Sequence, residues 1–269
     1  MAIARFLHYA FIQKAYIAGS FVAVLCAMLG LFLVLRKLSL IGDGLSHVSF
    51  GAIALGLFFG LYPFWVAIPV VLVASFFVLK LTQKARIYGD AAIGIVSSLG
   101  IAGGVILASL SRGFNVDLFS YLFGNVLAVS TQEVYMSIGL SLVVFTCVML
   151  FYNDLFSVTF DEEYARITGI KAERINLVLV FLTAITVVLA IKVVGIMLVS
   201  ALLILPAATA LQVARGFRVA MLISVLCGVG SVLVGTTASV FLNLPAGATI
   251  VMCGFLFFAI ALAVRNLRR

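Results

Sequence analysis

The chain has 269 residues, 65% hydrophobic and 10% charged, with a formal net charge of +8. An ordinary soluble domain carries roughly 25% charged residues, so a water-soluble fold is excluded. The basic residues stand singly or in small groups at the ends of apolar runs, a pattern that excludes a nucleic-acid surface and reads as membrane topology.

In chain order, Met1 to Lys14 sets Arg5, His8, Gln13 and Lys14 among apolar residues. The run from Ala15 to Leu35 follows without a small-residue cleavage site. It is too long for a signal-peptide core and reads as a retained first span, since a bilayer crossing takes about 20 apolar residues.

The next run, Ser39 to Leu61, is entered through Arg36-Lys-Leu-Ser-Leu-Ile-Gly-Asp-Gly-Leu-Ser-His-Val-Ser49. It places Asp43 and His47 inside an apolar segment, where a charge costs at least about 2.5 to 3.5 kcal/mol on insertion scales. The two residues are i and i+4, on one helical face with Cβ atoms roughly 5 to 6 Å apart. Carboxylate oxygen beside imidazole nitrogen suits a divalent transition metal such as zinc or manganese, where an all-oxygen set would favour calcium or magnesium. Counting about 1.5 Å per residue sets His47 about 15 Å beyond Lys37, near the midplane if Lys37 marks the cytoplasmic boundary. The competing reading is a structural polar cluster or proton relay in which Asp43 and His47 satisfy each other and Ser46 and Ser49.

Further spans are expected at Phe64 to Leu81, Ala91 to Leu110 and Val134 to Phe151. Gly56/Gly60 and Gly100/Gly104 have the GxxxG spacing that lets helices approach closely. Between the last two of these spans, Phe119 to Phe123 has the composition of a short interfacial or re-entrant helix.

The polar segment 152–174 is long enough to meet another protein and holds Asp154, Asp161, Glu162, Glu163 and Glu173 beside Arg166, Lys171 and Arg174. Asp161 is placed to cap a short surface helix through Arg166, and Gly169 to end it. The alternative is a solvated loop.

The remaining spans are Ile175 to Ile191, Gly195 to Val213, Val219 to Phe241 and Ala246 to Val264. Pro206 is expected to kink its span. The reading is one all-α, polytopic membrane domain over residues 1–269, with nine transmembrane helices, or eight if the Lys192 break is a kink in one long helix. Alternation from a cytoplasmic C-terminus groups Arg36/Lys37, Lys80/Lys84/Arg86, Arg166/Lys171/Arg174, Arg215/Arg218 and Arg265/Arg268/Arg269 on one side, 13 of the 17 basic residues. By the positive-inside rule that side is cytoplasmic, and the N-terminus is outside.

Cys26, Cys147, Cys227 and Cys253 each lie in an apolar run without CxxC spacing and read as small buried hydrophobes. No GxxxxGK[ST], HExxH or GxSxG occurs, so any ATP that powers the chain binds elsewhere.

Leu35 to His47, Tyr121-Leu-Phe-Gly124, Thr159 to Arg166 with Gly169, and Leu202 to Thr209 resemble the bacterial metal-ion ABC permeases that import zinc, manganese or iron. The resemblance runs from about Gly19 to Phe257, and its specific part is Asp-x-x-x-His behind a basic pair. It implies a homodimeric, multi-pass permease of the bacterial plasma membrane, with no cofactor of its own and no enzymatic activity. Such a permease pairs with cytoplasmic ATPase subunits that hold the ATP, and receives its metal from an extracytoplasmic binding protein. Carried over residue by residue, Asp43 and His47 become ligands of the transported metal. Asp161, Glu162, Glu163, Arg166 and Gly169 become the helix that couples to the ATPase. Ser46 to Phe50 and Asp117 to Gly124 look more like the zinc importers, with manganese or iron next.

Two other classes compete. An ion-coupled secondary transporter would use Asp43/His47 as a relay and show inverted internal repeats, which are not visible. An intramembrane metalloenzyme would need a third ligand near the pair.

Overall fold

The computed structural model describes residues 9–84, 88–110, 121–122, 124 and 129–267. Its helices are α1 (Ala10–Leu35), α2 (Ile41–Phe58), α3 (Pro63–Lys84), α4 (Gly89–Leu110), α5 (Thr131–Leu150), α6 (Tyr152–Phe160) and α7 (Glu162–Ile167). They continue as α8 (Ala172–Val194), a 3-10 turn at Ile196–Leu198, α9 (Val199–Val213), α10 (Phe217–Leu242) and α11 (Ala246–Leu267). Among the described residues nine segments are long and apolar enough to cross a membrane, and no strand occurs. Helices α6 and α7, nine and six residues long, fall short of a crossing, and α9 reaches span length only together with the 3-10 turn before it.

The Lys192 break resolves into a helix end. Lys192 lies in the last turn of α8, and Gly195, at φ 86°, swings the chain into the 3-10 turn before α9. Two separate helices form there, not one kinked helix. The aromatic stretch Phe119 to Phe123 lies outside the described residues except for Tyr121 and Leu122.

Burial divides the helices into layers. Within their apolar windows α1 and α8 are each 72% buried, whereas α4 and α11 are each 22% buried, so the first pair is central and the second peripheral. Lipid tails are as apolar as leucine, so association inside a bilayer rests on close packing and on hydrogen bonds between helices. Along α1, Ala23, Ala27 and Gly30 keep one stripe narrow, and a Cβ on Gly30 would overlap the Leu203 carbonyl of α9. Ser224 Oγ of α10 donates to the Ala27 carbonyl at 2.9 Å.

The same device seats α2 on α4. A Cβ on Gly51 would come 2.5 Å from the Gly100 carbonyl oxygen, and one on Gly100 would come 2.6 Å from Val48 Cα. Gly104 lets the Phe50 ring lie against its backbone. Of the two GxxxG pairs, 100/104 is therefore a true helix contact. The 56/60 pair is not: Gly60 lies past the end of α2 at φ 65°, where its N–H and that of Leu61 bond back to Leu57 and Gly56 as a left-handed cap.

Candidate metal site

The helix that carries Asp43 and His47 starts with a reset of the backbone. At the end of α1 the N–H of Lys37 bonds to the Val34 carbonyl and that of Leu38 to the Leu33 carbonyl, closing a left-handed cap with Lys37 at φ 57°. Residues 37–40 are thus not helical, and α2 begins at Ile41. The helical count therefore starts at Ile41 and not at Lys37: Asp43 sits in the first turn of α2, and His47 lies about 9 Å along it, a third of its length. A carboxylate in a first helical turn is held by the positive end of the helix dipole.

Gly42 and Gly44 flank Asp43, and both are buried. A Cβ on Gly42 would come 2.5 Å from Leu203 Cδ1, and one on Gly44 would overlap Ile93 Cγ2. Helices α9 and α4 therefore press on α2 from either side of Asp43 and leave its side chain turned away from the bundle. The Asp43 and His47 side chains are 44% and 27% exposed, and His47 Nε2 stands 3.6 Å from Asp43 Oδ2.

That separation is compatible with an ion pair and with two ligands of one metal. It is too long for a hydrogen bond. It matches the edge of about 3.4 Å between neighbouring ligand atoms of a tetrahedral ion with bonds of about 2.1 Å. The serines do not complete a polar cluster with the pair: Ser46 Oγ donates to the Asp43 carbonyl at 2.7 Å and Ser49 Oγ to the Leu45 carbonyl at 2.8 Å. Among the described residues no group of three or more His, Cys, Asp or Glu is gathered for a metal.

The segment that follows α5 is organised as its residue types dictate. Asp161, in extended backbone, caps α7 by accepting the Tyr164 N–H at 2.9 Å. Gly169, at φ 90°, ends α7: its N–H bonds to the Arg166 carbonyl and that of Ile170 to the Ala165 carbonyl. The two neighbouring glutamates have opposite fates. Glu163 is exposed, whereas Glu162 turns inward: its Oε2 accepts from Arg36 Nη2 at 3.0 Å and its Oε1 from Arg166 Nη2 at 2.7 Å. Arg36 Nη1 donates to Asn176 Oδ1 at the start of α8. Burial lowers the Arg36 pKa from its ordinary value and the Glu162 carboxylate offsets part of that, while arginine stays charged at any physiological pH.

Sequence reasoning missed two features of this end. Tyr164 and Ile167, 62% and 84% exposed, give α7 an unpartnered apolar face. Phe217 of α10 gathers Phe32, Tyr152, Phe156 and Phe160 within 5.1 to 6.0 Å of its ring centre, anchoring α6 to the bundle. No local pattern announces that anchor. At the far end of the bundle a second pairing was missed. Lys192 Nζ of α8 stands 2.8 Å from Glu133 Oε1 of α5 and 4.4 Å over the Tyr121 ring, and Tyr62 donates to the same oxygen at 2.9 Å. Glu133 also reaches back to the Ser130 N–H in a capping box, and Ser130-x-x-Glu133 is the one signal that was readable beforehand. Burial and the bond to Glu133 push the Tyr62 phenol above its ordinary pKa.

The chain's likenesses agree with this architecture. The profile of the ABC 3 transport family matches residues 8–265. The manganese transport system membrane protein MntC of Halalkalibacterium halodurans is 34% identical over 257 residues, 96% of this chain and 88% of that protein. The high-affinity zinc uptake system membrane protein ZnuB of Haemophilus influenzae is 32% identical over 253 residues, 94% of this chain and 97% of that protein. A solved structure of PsaBC from Streptococcus pneumoniae in complex with Fab contains a chain that superposes with a TM-score of 0.85 at 31% identity, covering 99% of this chain and 100% of that one. With nine spans among its described residues and a profile match from end to end, this chain belongs to the ABC 3 transport family.

Proposed function

We propose that the chain is the membrane-spanning subunit of an ATP-driven importer that passes divalent transition metal ions into the cytoplasm, with Asp43 and His47 as ligands of the moving ion. The observation that carries this reading is the pair itself, a carboxylate and an imidazole 3.6 Å apart on one face of an otherwise apolar span. Both side chains are partly exposed. Facing lipid, they would be costly, so a second copy of the chain set against this face gives them a polar path and further ligands. Two copies supply four ligands, or two with water.

The relatives' names support a metal cargo and do not favour zinc. The manganese and zinc proteins are 34% and 32% identical at comparable coverage, so the lean drawn from Ser46 to Phe50 and Asp117 to Gly124 goes no further. ATP is hydrolysed on a separate chain docked at α7, whose Tyr164 and Ile167 offer an apolar contact. An extracytoplasmic metal-binding protein delivers the ion.

The test is uptake of radiolabelled manganese and zinc into proteoliposomes holding the chain, its ATPase and the binding protein. Asp43→Ala and His47→Ala should each abolish uptake while the chain still inserts. Normal uptake by both variants removes the pair from the pathway. Uptake by the chain alone, driven by a pH gradient, would replace this reading with a secondary transporter.

A further inference from the structure

The basic pair ahead of Asp43 is split in its surroundings: Lys37 is exposed, whereas the Arg36 side chain is largely covered. Arg36 is the residue at which α1 stops. Its side chain is 12% exposed, and its two terminal nitrogens reach two different elements: Nη2 to Glu162 of α7 at 3.0 Å, Nη1 to Asn176 of α8. Asn176 Nδ2 in turn lies 3.4 Å from Glu162 Oε2, so the three side chains close a triangle. From Arg36 the chain needs only Lys37, held in its left-handed cap, and the turn at residues 38–40 to enter α2.

We infer that Arg36, Glu162 and Asn176 form an internal linkage through which movement of α7 is handed to the root of α2, and so to Asp43 and His47. This rests on the proposed function and deepens it: Glu162 is a positioning residue turned into the bundle, not a contact for the ATPase. Three observations carry it. Among the described residues α7 packs chiefly on α6, from which only Asp161 separates it, and on α8. The charged triangle therefore joins α7 to α1. A planar guanidinium grips two acceptors at fixed angles, which a flexible ammonium does not, so the link transmits direction as well as tension. A cavity of about 340 Å³ lined by Arg36, Thr82, Glu162, Arg166 and Asn176 adjoins the triangle and leaves room for it to shift. A tightly sealed pair would lock α7; this one is held and has space beside it.

The experiment uses the full chain reconstituted with its ATPase and binding protein, reading metal uptake and ATP hydrolysis in the same vesicles. Glu162→Gln keeps the shape and removes the charge, and Arg36→Lys keeps the charge and removes the fork. Each should assemble with the ATPase and hydrolyse ATP within about twofold of the wild type, while metal moved per ATP falls about tenfold or more. The double variant should lose no more than either single one, because the two residues act as one unit. Binding of manganese to the detergent-solubilised chain, measured without ATPase, should be unchanged in all three. An uptake-to-hydrolysis ratio equal to the wild type in Glu162→Gln overturns the linkage, as does loss of ATPase binding in step with loss of uptake, which would make Glu162 a docking contact. If the wild-type vesicles themselves move no metal, the proposed function fails and the linkage has nothing to act on.

Discussion

Asp43 and His47 were legible because their relation is local: four residues apart in a helix, they share a face whatever the rest of the fold does. Their position along the helix was not legible, because it depends on Lys37 adopting φ 57°, a conformation that favours glycine and breaks the helical count there. Non-local pairs were invisible for the same reason. Glu133 and Lys192 are brought together by the docking of α5 on α8, and nothing in either segment names the other. This pairing has a measurable signature. Lys192→Met leaves the Glu133 carboxylate, with a side chain 9% exposed, without its cation, and should destabilise the purified chain by about 3 to 5 kcal/mol. The double variant Glu133→Gln/Lys192→Met removes both charges and should recover most of that loss. Thermal unfolding in detergent, read for both variants beside the wild type, checks it. A double variant as damaged as the single one would show that Glu133 matters through its cap and Tyr62, not through the ion pair.

At the level of elements, hydropathy located every span to within a few residues, since crossing a bilayer is a property each segment carries alone. What hydropathy does not carry is the start of a helix: the Ser130 capping box begins α5 at Thr131, three residues ahead of the apolar run at Val134. Nor does it say which helices touch. Gly100→Leu should force α2 off α4, because its side chain would have to occupy the space of Val48 and the His47 carbonyl. A cost of at least about 2 kcal/mol follows, with metal uptake falling in parallel. The same substitution at Gly103, which has nothing within 4 Å of its added Cβ, is the control and should be neutral. At the end of α7, Gly169→Val places a β-branched residue at φ 90°, a strain of about 1 to 2 kcal/mol. Its effect should appear as weaker ATPase stimulation without loss of metal binding, as crosslinking of α7 to the ATPase would register.

For the molecule as a whole, the charge distribution makes a prediction about sidedness. Single cysteines introduced at Leu61 and Gly216, in a background without the four native ones, should be labelled from opposite faces of intact cells by an impermeant maleimide. Leu61 should react from outside and Gly216 only after permeabilisation, as the positive-inside assignment requires. Reaction of both from the same side would invert the topology and with it the placing of α7 on the cytoplasmic face.

The central position of α1 has a consequence for how the protein is made. Helix α1 is the first of the described helices to leave the ribosome, yet its partners include α8, α9 and α10, the last of which ends at Leu242. At about 5 to 20 residues per second, α1 waits about ten to forty seconds before its last partner is synthesised. Through that interval its stripe of Ala23, Ala27 and Gly30 lies open to any passing helix. A chain cut short after α8 should therefore be cleared by membrane proteases faster than one cut after α10, which makes the order of synthesis itself a point of vulnerability for this fold.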